Sequence, residues 1–128
     1  RDAWASGDLG RSWERLPLPP WCGRSGHQLV GLGNRLFVIG GEGQSGYLQE
    51  VWVSNDGGAC WEELPKPPWA ARSGHQVVAM GETFIMHGGL GESGYLHDAW
   101  ASSDGCLSWK ELPLTPWASR VFHQTAVL

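Results

Sequence analysis

No run of apolar residues in this chain is long enough to cross a bilayer; the longest are short pieces such as "LFVI" at 36–39, far below the roughly 20 residues a spanning helix needs. No charged leader with an apolar stretch opens the chain, and its first residue is Arg1 rather than Met, so no targeting segment is read and the 128 residues are expected to be a mature product or a piece of something longer, with localisation not written in them. Basic charge is short as well. Nine Lys and Arg stand against 13 Asp and Glu, a formal net charge of -4, which leaves no cationic field for a phosphate backbone and excludes nucleic acid as the expected partner. Cys22, Cys60 and Cys106 are odd in number and make no disulfide framework; they are read as incidental small residues. Sustained helical periodicity is absent too.

What the chain has instead is repetition. "RSGHQ" at 24–28 returns at 72–76, and "SRVFHQ" at 119–124 is a third, altered copy. Trp4, Trp52 and Trp100 keep the same step of 48 residues, as do Trp13, Trp61 and Trp109, and Trp21, Trp69 and Trp117. Aligning 4–51 with 52–99 gives 25 identities in 48 positions without a gap, so a repeat architecture must be sought before any other. Within one copy, "HQLVGLG" and "RLFVIGG" flank a turn at Gly33-Asn34, a hairpin signal. After a glycine-rich loop, "EVWVS" at 50–54 and "CWEEL" at 60–64 add a third and a fourth run. Strands such as "LFVI" and "FIM" are apolar at every position, which suits a sheet covered on both faces. Four short antiparallel strands per unit, each sheet held between two neighbours, predict an all-β fold of β-propeller blades.

Those residues carry a resemblance. Arg-x-Gly-His, an apolar strand, the glycine pairs Gly40-Gly41 and Gly88-Gly89, a Tyr-Leu at 47–48 and 95–96, then Trp and Leu-Pro resemble the kelch repeat of galactose-oxidase-like propellers. A second signature overlaps it: "SGDLGRSW" at 6–13 and "SNDGGACW" at 54–61 are similar to the Asp-box of sialidase-type and sortilin-type propellers. The third copy, "SSDGCLSW" at 102–109, has Cys106 where the glycine belongs, and a distorted turn is expected there. By this resemblance Ser6, Asp8, Gly10 and Trp13, with Ser54, Asp56, Gly58 and Trp61, and Ser102, Asp104 and Trp109, build turns between third and fourth strands, away from the binding face. The chain is then about 2.7 blades: the end of one blade at 1–21, full blades at 22–69 and 70–117, and the first strand of another at 118–128, about eleven strands in all. Covalent continuation into further blades is the expectation, with a homo-oligomer as its rival.

The repeated phrase has two readings. Arg24, Arg72 and Arg120 either reach over the prolyl loop or pair with a neighbouring blade's carboxylate, while His27, His75 and His123 bond backbone; alternatively the arginines rim the channel and hold an acidic sugar or a peptide carboxylate. Trp21, Trp69 and Trp117 either wedge between blades or stand exposed as stacking surfaces. In kelch propellers the loops between strands two and three and between blades shape the binding face, which makes Gln44, Ser45, Tyr47, Glu92, Ser93 and Tyr95 contact candidates. No catalytic group, metal ligand or cofactor is assigned. The expected role is a non-catalytic scaffold for a protein or glycan partner. The alternatives are part of a sialidase-like glycosidase, for which the arginine-bearing opening motif is missing, a galactose-oxidase-like enzyme, for which no Tyr, His and Cys cluster can be named, and a purely structural array.

Overall fold

The computed structural model of the protein describes residues 2–113. Its elements are β1 (Trp4–Ala5), β2 (Glu14–Arg15), β3 (Gln28–Leu32), β4 (Arg35–Ile39), β5 (Glu42–Gly43), β6 (Gly46–Tyr47) and β7 (Val51–Ser54), followed by β8 (Glu62–Glu63), β9 (Gln76–Met80), β10 (Thr83–His87), β11 (Leu90–Gly91), β12 (Gly94–Tyr95), β13 (Ala99–Ser102) and β14 (Lys110–Leu112). Two four-stranded antiparallel sheets result, β3-β4-β7-β8 and β9-β10-β13-β14, each in sequence order, with β1 and β2 forming a separate two-stranded sheet 48 residues ahead of β7 and β8. These are propeller blades, and the repeat step locates ten of their strands; the expected eleventh, at 118–128, lies outside the described residues. The stretches read as glycine-rich loops turn out to be tight hairpins, β5–β6 and β11–β12, clamped to the repeated phrase by bridges between Ser25 and Glu42 and between Ser73 and Leu90.

Alternation along each strand divides a blade into two faces. In the first blade Phe37 and Ile39, Val51 and Val53 point toward the second, where Phe84, Met86 and Trp69 meet them in one buried cluster with Cys106. Phe37 and Phe84 cross edge to face with centroids 4.9 Å apart, a favoured aromatic arrangement. Leu36 and Val38 take the opposite face. Apolarity at every position of "LFVI" therefore reflects burial on both sides, with Phe37, Val38 and Ile39 all buried.

At the other end of the blades, the chain turns between third and fourth strands through three near-identical loops. Ser6, Ser54 and Ser102 each donate to the Oδ1 of Asp8, Asp56 or Asp104 at 2.8–3.0 Å. Each serine Oγ also accepts a backbone N–H four residues on, from Gly10, Gly58 or Cys106, and each aspartate accepts from Ser12, Cys60 or Ser108 N–H. Gly10 and Gly58 stand at φ 87° and 95°, and Cys106 adopts 67° in their place. The expected distortion at Cys106 is thus small in the backbone, which keeps the same bonds at the cost of a left-handed conformation that side chains resist. Trp61 Nε1 donates to the Gly58 carbonyl at 3.0 Å, whereas Trp109 Nε1 has no hydrogen-bond partner among the described residues.

Candidate functional site

Antiparallel order brings the starts of β3 and β7 and the ends of β4 and β8 to one end of the first blade, and β9, β13, β10 and β14 do the same in the second. That end carries both copies of the repeated phrase and both hairpins. Gly41 N–H donates to the Arg72 carbonyl and Gly74 N–H to the Gly26 carbonyl, at 2.8 and 2.9 Å, lacing successive blades together.

The arginines are spent inside this framework. Arg72, with no exposed surface, donates from Nη1 and Nη2 to the two carboxylate oxygens of Asp98 at 2.7 and 2.9 Å, and also to the Gly88 and Ala70 carbonyls at 3.0 Å. It lies over the Trp69 ring. Arg24 repeats the pattern with Glu50, the Gly40 carbonyl and the Trp21 ring, although its Nε is left without the partner that Arg72 finds in Ala70. The carboxylates belong to the arginines' own blades, where the sequence reading looked to a neighbouring blade. Asp98 is held below its ordinary value: burial alone would raise it, but hydrogen bonds from Arg72 and Trp100 outweigh that. Glu50 and Asp98 were missed from the sequence, yet their signal is there. They stand 48 residues apart, each two before a tryptophan whose Nε1 donates to it, and Asp2 with Trp4 is the same pair one repeat earlier.

His75 is fully buried, and neither ring nitrogen has a hydrogen-bond partner among the described groups. The backbone bond expected for it is not made; the Ile39 backbone lies near the ring at a geometry short of one. Burial, with Arg72 beside it, pushes the imidazole down to about 3. Its counterpart His27 is exposed. Trp69 is likewise completely buried and wedged edge to face against Trp109, while Trp21 is half-buried against Trp52 and Trp61. Trp117, Arg120 and His123 lie outside the described residues.

The hairpin tips are what this end offers to solvent. Gln44 and Ser45 turn the first hairpin, Glu92 and Ser93 the second, and all four are exposed. Tyr95 is 66 % exposed and Tyr47 half-buried. A second concavity, absent from the sequence reading, opens at the opposite end: about 460 Å³ bounded by Leu32, Asn34, Arg35, Glu82, Ser103 and Asp104. Its signal was broken repetition, since Arg35 aligns with Thr83, Asn34 with Glu82 and Ser103 with Asn55. Arg35 is the only cationic residue in that lining, with Glu82 and Asp104, and its guanidinium covers the Phe37 ring.

Among known families, residues 23–68 match the Kelch motif. That span runs from the repeated phrase through all four strands of the first blade and its prolyl loop, so the repeats of this chain are kelch-type, a scaffold generally used for protein interaction. No curated protein matches the chain.

Proposed function

We propose that this chain is a non-catalytic arc of propeller blades that presents the paired hairpin tips to a protein or glycan partner. The blades run 22–69 and 70–117, with 1–21 closing a preceding blade and 118–128 opening a following one, and the Ser-Asp turns are Asp-boxes with an architectural role. One observation carries the reading. The repeated charged groups are consumed by internal bonds, as Arg72 with Asp98, whereas Gln44, Ser45, Glu92, Ser93 and Tyr95 sit exposed on hairpins whose backbones are already paired. Side chains on a rigid paired turn lose little conformational freedom on contact, which favours them as recognition elements. Tyr95 supplies an aromatic face for a sugar ring or an apolar side chain, and Glu92 a charge that fits a basic or hydroxyl-rich partner.

The reading predicts saturable hits when labelled chain is applied to peptide and glycan arrays, weakened at least about tenfold by Tyr95→Ala or Glu92→Lys, the range of a single hot-spot contact. Hits indifferent to both substitutions, or no hits, would count against the hairpin face. Turnover of a fluorogenic sialoside would reverse the assignment in favour of an enzyme.

A further inference from the structure

Arg24 and Arg72 spend their guanidinium groups on Glu50 and Asp98. Arg35 does not. It is half-buried, yet no hydrogen bond or ion pair among the described residues takes up its side-chain N–H groups. Packing holds it instead. The guanidinium lies over the buried Phe37 ring, 5.3 Å from the centroid, and a Cβ on Gly105 of the second blade would stand 3.0 and 3.3 Å from its Nη1 and Nη2. Gly105 is buried, whereas Gly57, one repeat earlier and at nearly the same φ, is exposed, and a Cβ there would meet nothing within 4 Å. A guanidinium stacked on a ring keeps its in-plane N–H edge for a partner, and the group that matches that edge is a carboxylate taken two-pronged.

The concavity of about 460 Å³ in which Arg35 stands spans the seam between the blades. Leu32, Asn34 and Arg35 come from the β3–β4 hairpin of the first blade; Glu82, Ser103 and Asp104 come from the β9–β10 turn and the Ser-Asp loop of the second. Two carboxylates share this lining, and their states differ. Asp104 is occupied in its own loop, accepting from the Ser102 hydroxyl and from the Ser108 N–H and hydroxyl. Glu82 is exposed, and no described residue bonds its carboxylate. One unspent cation and one unspent anion therefore face a single cavity with no ion pair joining them. Neither belongs to the repeat, since Arg35 aligns with Thr83 and Glu82 with Asn34. A residue that every blade needs recurs at each step; this pair serves one seam.

We propose that the seam cavity is a binding site for a small zwitterion of the α-amino-acid class, its carboxylate gripped by Arg35 and its ammonium by Glu82. Charge of one sign fits less well. A simple anion drawn to Arg35 meets repulsion from Glu82 and Asp104, and a simple cation drawn to Glu82 meets Arg35, whereas a zwitterion satisfies both ends. The Ser103 hydroxyl, 3.1 Å from that of Thr83, and the Asn34 amide extend the polar rim. Leu32 offers an apolar contact for the ligand's side chain. Because Arg35 and Glu82 belong to different blades, an occupied site ties the seam from the end opposite the hairpins, and the ligand stabilises the docked blades by mass action.

The test titrates isotope-labelled chain with glycine, L-leucine, acetate and ethylammonium and follows the backbone amides by NMR. Both amino acids are expected to shift the Gly33, Glu82 and Gly105 amides saturably, with a dissociation constant of about 1 mM or tighter. Acetate and ethylammonium, each lacking one charged contact, should bind at least about tenfold more weakly. Arg35→Thr, which installs the residue the second blade carries at that position, and Glu82→Gln should each weaken the amino acids at least about tenfold. Unmoved strand amides in both variants would show the fold intact. Acetate or ethylammonium binding as tightly as the amino acids, or indifference to Glu82→Gln, overturns the ligand class. No saturable shift with any probe overturns the site. The hairpin tips lie at the other end of the blades, so this inference and the proposed function fail independently.

Discussion

Arg72 illustrates how a charged residue becomes a structural one. Taking a guanidinium out of water is costly, and only a full set of partners offsets it; here two carboxylate oxygens and two carbonyls supply that set. Removing one partner strands the other. Arg72→Met is therefore expected to lose about 2–4 kcal/mol of unfolding free energy, the lower end reflecting the 22 % exposure of Asp98. Arg72→Lys should rescue little, because an ammonium cannot reproduce the two-pronged contact. Chemical denaturation of Arg72→Met, Asp98→Asn and the double variant would show strong coupling, and additive losses would contradict the pairing. The sequence revealed that the arginine recurs, but a recurring arginine is compatible with a ligand ring and with a brick. Its partner was readable only by asking which carboxylate recurs with it, and Glu50 and Asp98 differ in residue type, which hides the match.

At the scale of elements, the glycine pairs end β4 and β10 because the chain there must pass close under the repeated phrase. A Cβ on Gly89 would stand 2.8 Å from the Ser73 carbonyl oxygen and 3.0 Å from His75 Cβ, at φ 101°. Gly94, at φ 107°, meets nothing within 4 Å. Both positions resist a side chain through conformation, worth about 1–2 kcal/mol, but only Gly89 adds a clash with backbone. Gly94→Ala should thus cost about 1 kcal/mol and Gly89→Ala more than about 3, with loss of cooperative folding, in matched denaturant melts. Equal losses would show that the close approach is not real. The hairpins that these glycines introduce were invisible as strands. Two-residue strands such as Glu42–Gly43 and Gly46–Tyr47 are too short for alternation to register, and glycines read as loop.

For the molecule as a whole, the seam between blades sets the response to acid. His75 sits in it neutral, beside Arg72, with His27 and His87 also bearing on it. The folded ring stays unprotonated down to about 3, while the unfolded chain takes up a proton near 6.5. Stability is therefore complete above 6.5 and declines as pH falls below it, by about 2 kcal/mol at pH 5. Asp98 and the rim aspartates, lowered from 3.8 by their hydrogen bonds, add losses in the same direction only at more acidic values. Burial and Arg24 hold His27 below 6.5 as well, so it adds a loss in the same window; urea melts at pH 7.5 and 5 should show the combined loss in the native chain and a clearly smaller one in His75→Phe. A loss equally large in the variant would place the acid sensitivity elsewhere.

The repeat step and its apolar runs determined, without coordinates, that the chain is all-β, that its blade strands come in fours, and where ten of them lie. That information is local and periodic, and periodicity survives in one dimension. Tertiary structure alone decided that Trp69 and His75 are buried while Trp21 and His27 remain at an open flank, though each pair is identical in residue and repeat position. Burial depends on which sheet stands alongside, and a repeated sequence cannot record which of its copies has a neighbour on each side.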